Sequence, residues 1–396
     1  MIPRVLANKI KQLSSQFPVV AILGPRQSGK STLSKMLFPT YTYVSLEDPD
    51  VRAFAERDAR RFLTSVTKGE GVILDEVQKV PDLLSYIQGI VDAQKRPGFF
   101  VLTGSQNFLL HSTITQTLAG RVALCSLLPF SLEELGPVNG IKPDLEDMLF
   151  LGGYPRLFDD GISPLDWYPR YISTYVERDV RLVKNVEDLS TFQRFLGLCA
   201  GRIGQLLNIA SLASDCGISP NTARSWLSLL EASYIIFLAQ PHFRNFSKRL
   251  IKSPKLYFYD TGLACSLLQI TASNQIHNHY LRGGLFESFV MSELHKYFFN
   301  RGLRPPLYFW RDKQGHEVDV IVEKADQLLP IEVKSGSTIN SSYFDELRFW
   351  SELSGSLPEN NIVVYGGLDN QQRSSGHVVS WQTLKNPTWL ATFLEA

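Results

Sequence analysis

Residues Gly24-Pro25-Arg26-Gln27-Ser28-Gly29-Lys30-Ser31-Thr32 fit G-x-x-x-x-G-K-[ST] at every position. They follow an apolar run, Val19-Val20-Ala21-Ile22-Leu23, and precede a segment of helical character from Thr32 to Leu37. Strand, glycine-bearing loop and helix in that order is the context in which this motif cradles phosphate. The glycines let backbone N–H groups wrap phosphate oxygens, and the helix N-terminus adds positive potential. Lys30 is the residue expected to reach the β- and γ-phosphates of ATP, and Ser31 the one expected on Mg²⁺. An incidental glycine turn would lack that flanking context.

A second run, Gly71-Val72-Ile73-Leu74-Asp75-Glu76, is a short apolar strand ending in two carboxylates. A buried parallel strand reads as a continuous apolar stretch, and open α/β sheets bind ligands at the carboxyl ends of their strands. Asp75 is the candidate Mg²⁺ ligand, directly or through water, and Glu76 the candidate for polarising the attacking water. Acids also cap helices, so the pair alone leaves both readings open. A third run, Phe99-Phe100-Val101-Leu102-Thr103-Gly104-Ser105, ends in small polar residues followed by Gln106 and Asn107.

In these features residues 1–135 resemble the AAA-plus branch of P-loop ATPases. The resemblance implies that the third strand lies between the loop strand and the acid strand. It also implies a γ-phosphate sensor, for which Thr103, Ser105 and Gln106 are the candidates. Arg121, in Leu118-Ala119-Gly120-Arg121, is a candidate arginine finger. Such a finger often comes from a neighbouring subunit and would make the chain a homo-oligomer; the other reading is an ordinary surface arginine.

The chain has 396 residues, enough for two or three domains, with 20% charged residues and a formal net charge of +1. Any nucleic-acid surface must then be local. No apolar run reaches membrane-span length and the N-terminus lacks a secretory core, so a cytoplasmic protein is expected. Cys125, Cys199, Cys216 and Cys265 are widely spaced and form no metal pattern, which reads as reduced thiols.

Strands alternate with helices up to about Gly140: strands at 19–24, 42–46, 72–75, 99–103 and 121–127, with a helix at 81–92. Gly136-Pro137-Val138-Asn139-Gly140 reads as a boundary. In the next segment a helix is expected from Tyr168 to Val183, carrying the charge cluster Glu177-Arg178-Asp179. A helix-turn-helix pattern follows: Asn208 to Cys216, a turn at Gly217, and a new helix started by Ser219-Pro220. Spacing sends Ala223, Trp226, Leu227 and Leu230 to the core and leaves Asn221, Arg224, Ser225 and Ser228 outward, a composition suited to groove contacts. Runs Tyr234–Leu238 and Leu256–Tyr259 read as strands of a wing. Between them Arg244, Lys248, Arg249, Lys252 and Lys255 interleave with Phe243 and Phe246. These cations can neutralise DNA phosphates. A protein-interaction module with a solvated basic loop has the same pattern.

The last segment, about 271–396, carries a second chemistry. Glu317-Val318-Asp319-Val320-Ile321-Val322 and Leu329-Pro330-Ile331-Glu332-Val333-Lys334 read as a hairpin. Alternation puts Glu317 and Asp319 on one face, and Glu332 and Lys334 on one face. In a fitting register Asp319, Glu332 and Lys334 converge. Two carboxylates make a hard oxygen site for Mg²⁺, and the lysine can orient or deprotonate a metal-bound water. This D-x(n)-E-x-K constellation resembles the PD-(D/E)XK nuclease superfamily. That resemblance implies a mixed sheet, Mg²⁺-dependent cleavage of nucleic acid, and a further metal-binding acid on a preceding helix, matched by Glu287 in Gly284-Leu285-Phe286-Glu287-Ser288-Phe289-Val290. Val318 stands before Asp319, where the superfamily's name has a proline.

The assembled order resembles a family of prokaryotic ATP-binding proteins with a C-terminal domain of unknown function. Leu151-Gly152-Gly153-Tyr154-Pro155, Tyr257-Phe258-Tyr259-Asp260-Thr261-Gly262-Leu263 and Ile331-Glu332-Val333-Lys334-Ser335-Gly336 support it. The fold expected is α/β: a P-loop NTPase parallel sheet over 1–140, a mainly helical lid and winged-helix domain over 141–270, and a mixed α/β nuclease-like domain over 271–396. The function expected is an Mg²⁺-dependent ATPase with DNA as partner. The alternatives are a nucleotide-dependent regulator with an inactive nuclease-like domain, and a defence-type effector whose nuclease the ATPase restrains.

Overall fold

The computed structural model describes residues 2–105, 114, 116–136, 144–176, 189–242 and 251–394. Gln106, Asn107, residues 137–140, the cluster Glu177-Arg178-Asp179, and Phe243, Arg244, Phe246, Lys248 and Arg249 lie outside the described residues. The chain forms two compact units. The first comprises Met1–Phe130, Ala232–Tyr234 and Phe298–Arg304; the second comprises Ser131–Glu231, Ile235–Tyr297 and Pro305–Ala396.

The first unit is built on strands β1 (Val19–Leu23), β2 (Thr42–Ser45), β3 (Val72–Asp75), β4 (Phe100–Gly104) and β5 (Val122–Ser126). They run in the order β2-β3-β4-β1-β5, with every neighbouring pair parallel. β4 thus lies between the acid strand and the loop strand, as the AAA-plus resemblance implied. Side-chain alternation divides the strands between two cores. Val19, Ala21 and Leu23 join Val72, Leu74, Phe100 and Leu102 on one face, while Val20 and Ile22 join Ile73, Val101 and Cys125 on the other. Burial on both faces is why these runs are continuously apolar rather than alternating. Helix Leu83–Gln94 covers the first face with Leu83, Leu84, Ile87 and Val91, one stripe at helical spacing. Helix Leu6–Ser14 covers the second with Leu6 and Ile10.

The second unit holds nine strands: β6 (Gln205–Leu206), β7 (Ile236–Pro241), β8 (Lys255–Phe258), β9 (Leu307–Arg311), β10 (Glu317–Lys324), β11 (Gln327–Lys334), β12 (Ile362–Tyr365), β13 (Gln371–Arg373) and β14 (Gly376–Ser380). They form one mixed sheet, ordered β13-β14-β12-β11-β10-β9-β7-β8-β6. Helices Ile209–Cys216 and Pro220–Ala232 flank Gly217, whose φ of 75° closes the first. Asn208 accepts from the Ser211 N–H at 3.0 Å, and Ser219 accepts from that of Thr222 at 3.1 Å. These bonds satisfy N–H groups that the start of a helix leaves open. Ala223, Trp226, Leu227 and Leu230 are buried, while Asn221, Arg224 and Ser228 are exposed. β7 and β8 form the antiparallel hairpin that follows, but it does not stand free. β7 also pairs with β9 in parallel, Gln240 with Tyr308 and Pro241 with Phe309, so the hairpin continues the sheet that carries β10 and β11.

The helix expected at 168–183 begins earlier. Ser163 caps it and Pro164 takes its first position, so it runs Pro164–Tyr171 and continues as a π-helical turn, Ile172–Val176. Tyr168 on this helix links two of the runs that carried the family resemblance. Asp260 accepts from the Tyr168 hydroxyl at 2.6 Å, from the Gly153 N–H at 2.7 Å and from the Leu263 N–H at 2.9 Å. Gly152 has φ 69°, and a Cβ there would lie 2.1 Å from the Tyr168 hydroxyl oxygen, so a glycine is required.

Candidate nucleotide site and carboxylate cage

The phosphate-loop motif bridges β1 and helix Lys30–Leu37. A Cβ on Gly24 would lie 2.1 Å from the Leu127 carbonyl oxygen, so the loop leaves β1 along a path open only to glycine. Gly29, at φ 92°, sits at the helix N-cap. The Lys30 ammonium is buried over its own loop, donating to the carbonyls of Gly24 at 3.0 Å and Pro25 at 2.7 Å. Arg26 lies 4.0 Å from Glu47. Ser28 is fully buried, and its hydroxyl oxygen has no hydrogen-bond partner among the described residues.

Asp75 is the hub of the polar cluster next to the loop. The Ser31 hydroxyl lies 2.9 and 2.8 Å from its two oxygens, the Tyr43 hydroxyl donates at 2.6 Å, and Thr103 donates as well. Burial, and then the bond to Asp75, push the Tyr43 phenol well above its ordinary value. Glu76 adopts a left-handed φ of 58°, uncommon for a non-glycine residue. Its carboxylate accepts from Ser105 at 2.8 Å and from Gln78, which also donates to Ser105 at 3.2 Å. The donor set fits a nucleotide with Mg²⁺: a loop with two obligatory glycines, an ammonium, a serine hydroxyl and a carboxylate on one point. Thr32 follows Ser31 in the same helix.

Arg121 is not brought to this cluster. It precedes β5, at the end of the sheet opposite the loop, and a strand of five residues spans roughly 16 Å. Its guanidinium is paired with Asp92 at 2.5 and 2.9 Å.

In the second unit, Glu287 lies on helix Arg282–Asn300 among buried Phe286, Val290, Met291 and Leu294. β10 and β11 pair antiparallel from Lys324–Gln327 to Val320–Ile331. The Asp319 carboxylate then takes the Val333 N–H at 2.9 Å. Glu332 is paired with Lys334, and its Oε2 is buried without a hydrogen-bond partner among the described residues. Burial and the charge of Asp319 raise the Glu332 carboxyl well above its usual range. Burial works against the Lys334 charge, but Glu332 and Asp319 outweigh it and hold its proton on.

Lys255 corrects the sequence reading. It was counted among the cations open to phosphate, yet it is 2% exposed. Its ammonium lies 2.7 Å from Glu287, in contact with Glu317, and 3.6 Å from Asp319. Lysine is almost never this buried unless paired, and here the pairing is threefold. Tyr257 donates to the same Glu287 oxygen, and Arg311 pairs with the other oxygen of Glu317. Burial pushes Glu287 up to about 7 against the pull of Lys255, and the Asp319 charge adds to the rise.

Asp319 and Glu332, with a Glu332 oxygen unpartnered among the described residues, have the chemistry of a divalent-cation site. Glu287 lies with Glu317 and Asp319 in a second set spaced for a cation, its oxygen now held by Lys255 and Tyr257. Among the residues that touch these clusters, sequence reasoning gave no site role to Tyr43, Gln78, Tyr257 and Arg4, and gave Lys255 a different one. Arg4 donates to the Ser28 carbonyl at 3.0 Å and to that of Leu128. Their only sequence signal is a polar group within or beside an apolar run.

Three family models match the chain in succession: an AAA domain over residues 16–136, a domain of unknown function (DUF8612) over 142–274, and another (DUF4143) over 282–384. The uncharacterized protein Rv2008c of Mycobacterium tuberculosis is 31% identical over 345 residues, covering 85% of this chain and 74% of its own. The uncharacterized protein Mb2031c of Mycobacterium bovis matches to the same extent. The chain belongs to the family of these mycobacterial proteins. Its first unit carries an ATP-binding P-loop domain of the AAA type. Among solved structures, the Walker-type ATPase of Pyrococcus abyssi aligns at 17% identity and TM-score 0.41, covering 67% of this chain and 95% of its own. The Thermotoga maritima RuvB Holliday junction branch migration motor aligns at 18% identity and TM-score 0.29, covering 59% and 87%. No helix among the described residues is long and apolar enough to cross a membrane. All four cysteines are buried and free.

Proposed function

We propose that this family member is a Mg²⁺-dependent ATPase that acts on DNA, with a metal-dependent phosphodiesterase site in its second unit. The observation that carries the ATPase reading is the Ser31 hydroxyl held on Asp75 beside the Lys30 loop. Bound Mg²⁺ would supply charge to the phosphate oxygens. Gly24 to Thr32 bind and orient the phosphates, Lys30 exchanging its loop carbonyls for them. Glu76, held by Ser105 and Gln78, is the base that takes the proton of the attacking water. Ser105 then doubles as the sensor, since it touches the catalytic carboxylate.

For the second site, support comes from Asp319, Glu332 and Lys334 meeting on adjacent strands. Asp319 and Glu332 are the metal-holding pair, and Lys334 orients the water. DNA contact is assigned to the exposed Asn221, Arg224 and Ser228 and to exposed Lys252. ATP turnover would gate cleavage. The rival reading, a nucleotide-dependent regulator whose acid cluster does not cut, is favoured by one observation: the Lys255 ammonium among the acids.

A cleavage time course decides between them. Linear, circular and branched DNA are incubated with the protein and Mg²⁺ or Mn²⁺, with and without ATP, beside Asp319→Ala and Lys334→Ala. Cleavage lost in both variants supports the nuclease, and equal rates with and without ATP exclude gating. Intact ATP hydrolysis with no cleavage under any condition establishes the regulator.

A further inference from the structure

The three carboxylates around Lys255 form a group on their own. One oxygen each from Glu287, Glu317 and Asp319 lies within 4.8 Å of the others, the spacing of a set that can hold one metal ion. Three carboxylates this close and this buried repel one another unless a cation sits among them. That cation is already present. The ammonium carries three N–H donors and no acceptor, and three carboxylates face it. Its stem passes the Phe309 ring, with Nζ 5.6 Å from the ring centroid.

The ammonium is also anchored. Lys255 is paired in the ladder with Ala239 on β7 and Leu206 on β6, so its backbone is fixed from both sides. In the strand order β7 and β9 lie between β8 and β10, and the sheet must coil for Lys255 to reach Glu317 and Asp319. A side chain brought across that distance into an acid cage is a cation supplied by the fold.

We propose that Lys255 is the resident cation of the Glu287–Glu317–Asp319 cage, standing where a divalent ion would otherwise bind, and that the cage takes a metal only when this ammonium is removed. The cage is thus distinct from the Asp319–Glu332 position, although Asp319 borders both. The inference stands whether or not the second unit cleaves nucleic acid.

The test is Mn²⁺ binding to the full chain without nucleotide, followed by electron paramagnetic resonance, for wild type, Lys255→Met, Lys255→Arg and the double variant Lys255→Met/Glu317→Gln. Lys255→Met should bind one Mn²⁺ per chain more than wild type at the same free Mn²⁺. Lys255→Arg, which keeps the charge, should not, and the double variant should lose the added ion. A folded Lys255→Met with wild-type stoichiometry overturns the proposal, as does an added ion that survives Glu317→Gln. If Lys255→Met unfolds without metal, thermal melts with and without Mn²⁺ decide: recovery of the folded state by Mn²⁺ supports the cage, and failure to recover overturns it. DNA cleavage is not read in any arm, so a failed nuclease reading leaves this result intact.

Discussion

The Tyr168 hydroxyl donates to Asp260 at 2.6 Å across 92 positions of sequence. The bond is buried, and Asp260 is itself 3% exposed. Tyr168→Phe removes one donor and leaves a carboxylate oxygen with the Leu263 N–H alone. The expected loss is about 1–3 kcal/mol, read as a lower urea midpoint at an unchanged slope. Gly152→Ala should cost more, because its Cβ would meet both partners of this bond. Equal stability of Gly152→Ala and wild type would contradict the packing described.

Nucleotide affinity should separate Lys30 from Arg121. Lys30→Ala removes the ammonium beside the phosphate loop and should weaken ATP binding at least about tenfold, or ~1.4 kcal/mol. Arg121→Ala breaks the pair with Asp92 and a bond to the Ala119 carbonyl, both at the far end of the sheet, and should leave affinity within about twofold. Titration with a fluorescent ATP analogue reads both.

Glu76→Gln should divide binding from turnover. The amide keeps the size of the side chain but cannot accept a proton. Hydrolysis is expected to fall by about 10²–10⁴ with nucleotide affinity nearly unchanged. A parallel loss of affinity would assign Glu76 to ground-state binding instead.

His295 sets a pH dependence. Burial lowers it to about 4, and its ring packs against Phe237 and Tyr259 with Nδ1 2.9 Å from the Met291 carbonyl. The unfolded chain takes up the imidazole proton near pH 6.5, and the folded chain only near 4. Between those values the unfolded state binds more protons, so stability falls as pH drops from about 6.5 toward 4, by about 3 kcal/mol in full. His295→Gln should flatten this slope in urea melts run at pH 7, 6 and 5. A slope identical to that of wild type would place the dependence on other groups.

How far the sequence could be read follows from where each site's parts lie. Gly24 to Thr32 are contiguous, and Asp75 and Glu76 end a strand, so local pattern was enough to place them. The sheet order was legible through the family resemblance. Tyr43 was not, because a tyrosine in the half-exposed strand Thr42–Ser45 gives no sign of the carboxylate on the neighbouring strand. Lys255 was read wrongly for a related reason. In a stretch rich in arginine, lysine and phenylalanine a lysine looks solvated. Its burial depends on Glu287, Glu317 and Asp319, which come later in the chain and from a helix and another strand. The continuation of the β7–β8 hairpin into the sheet of β10 and β11 was hidden likewise, since Gln240–Tyr308 pairing has no local signature.

That continuous sheet has a consequence for dissecting the protein. A cut between β8 and the helix that bears Glu287 would pass through no independent linker in the hydrogen-bonded framework. The upstream fragment would keep the Lys255 ammonium and lose all three of its acids, and the downstream fragment would keep the acids and lose their cation. Each piece would inherit an uncompensated buried charge and an open strand edge. Mixed in solution, the two pieces should therefore prefer each other to water, and reassembly of the severed halves is the behaviour this architecture builds in.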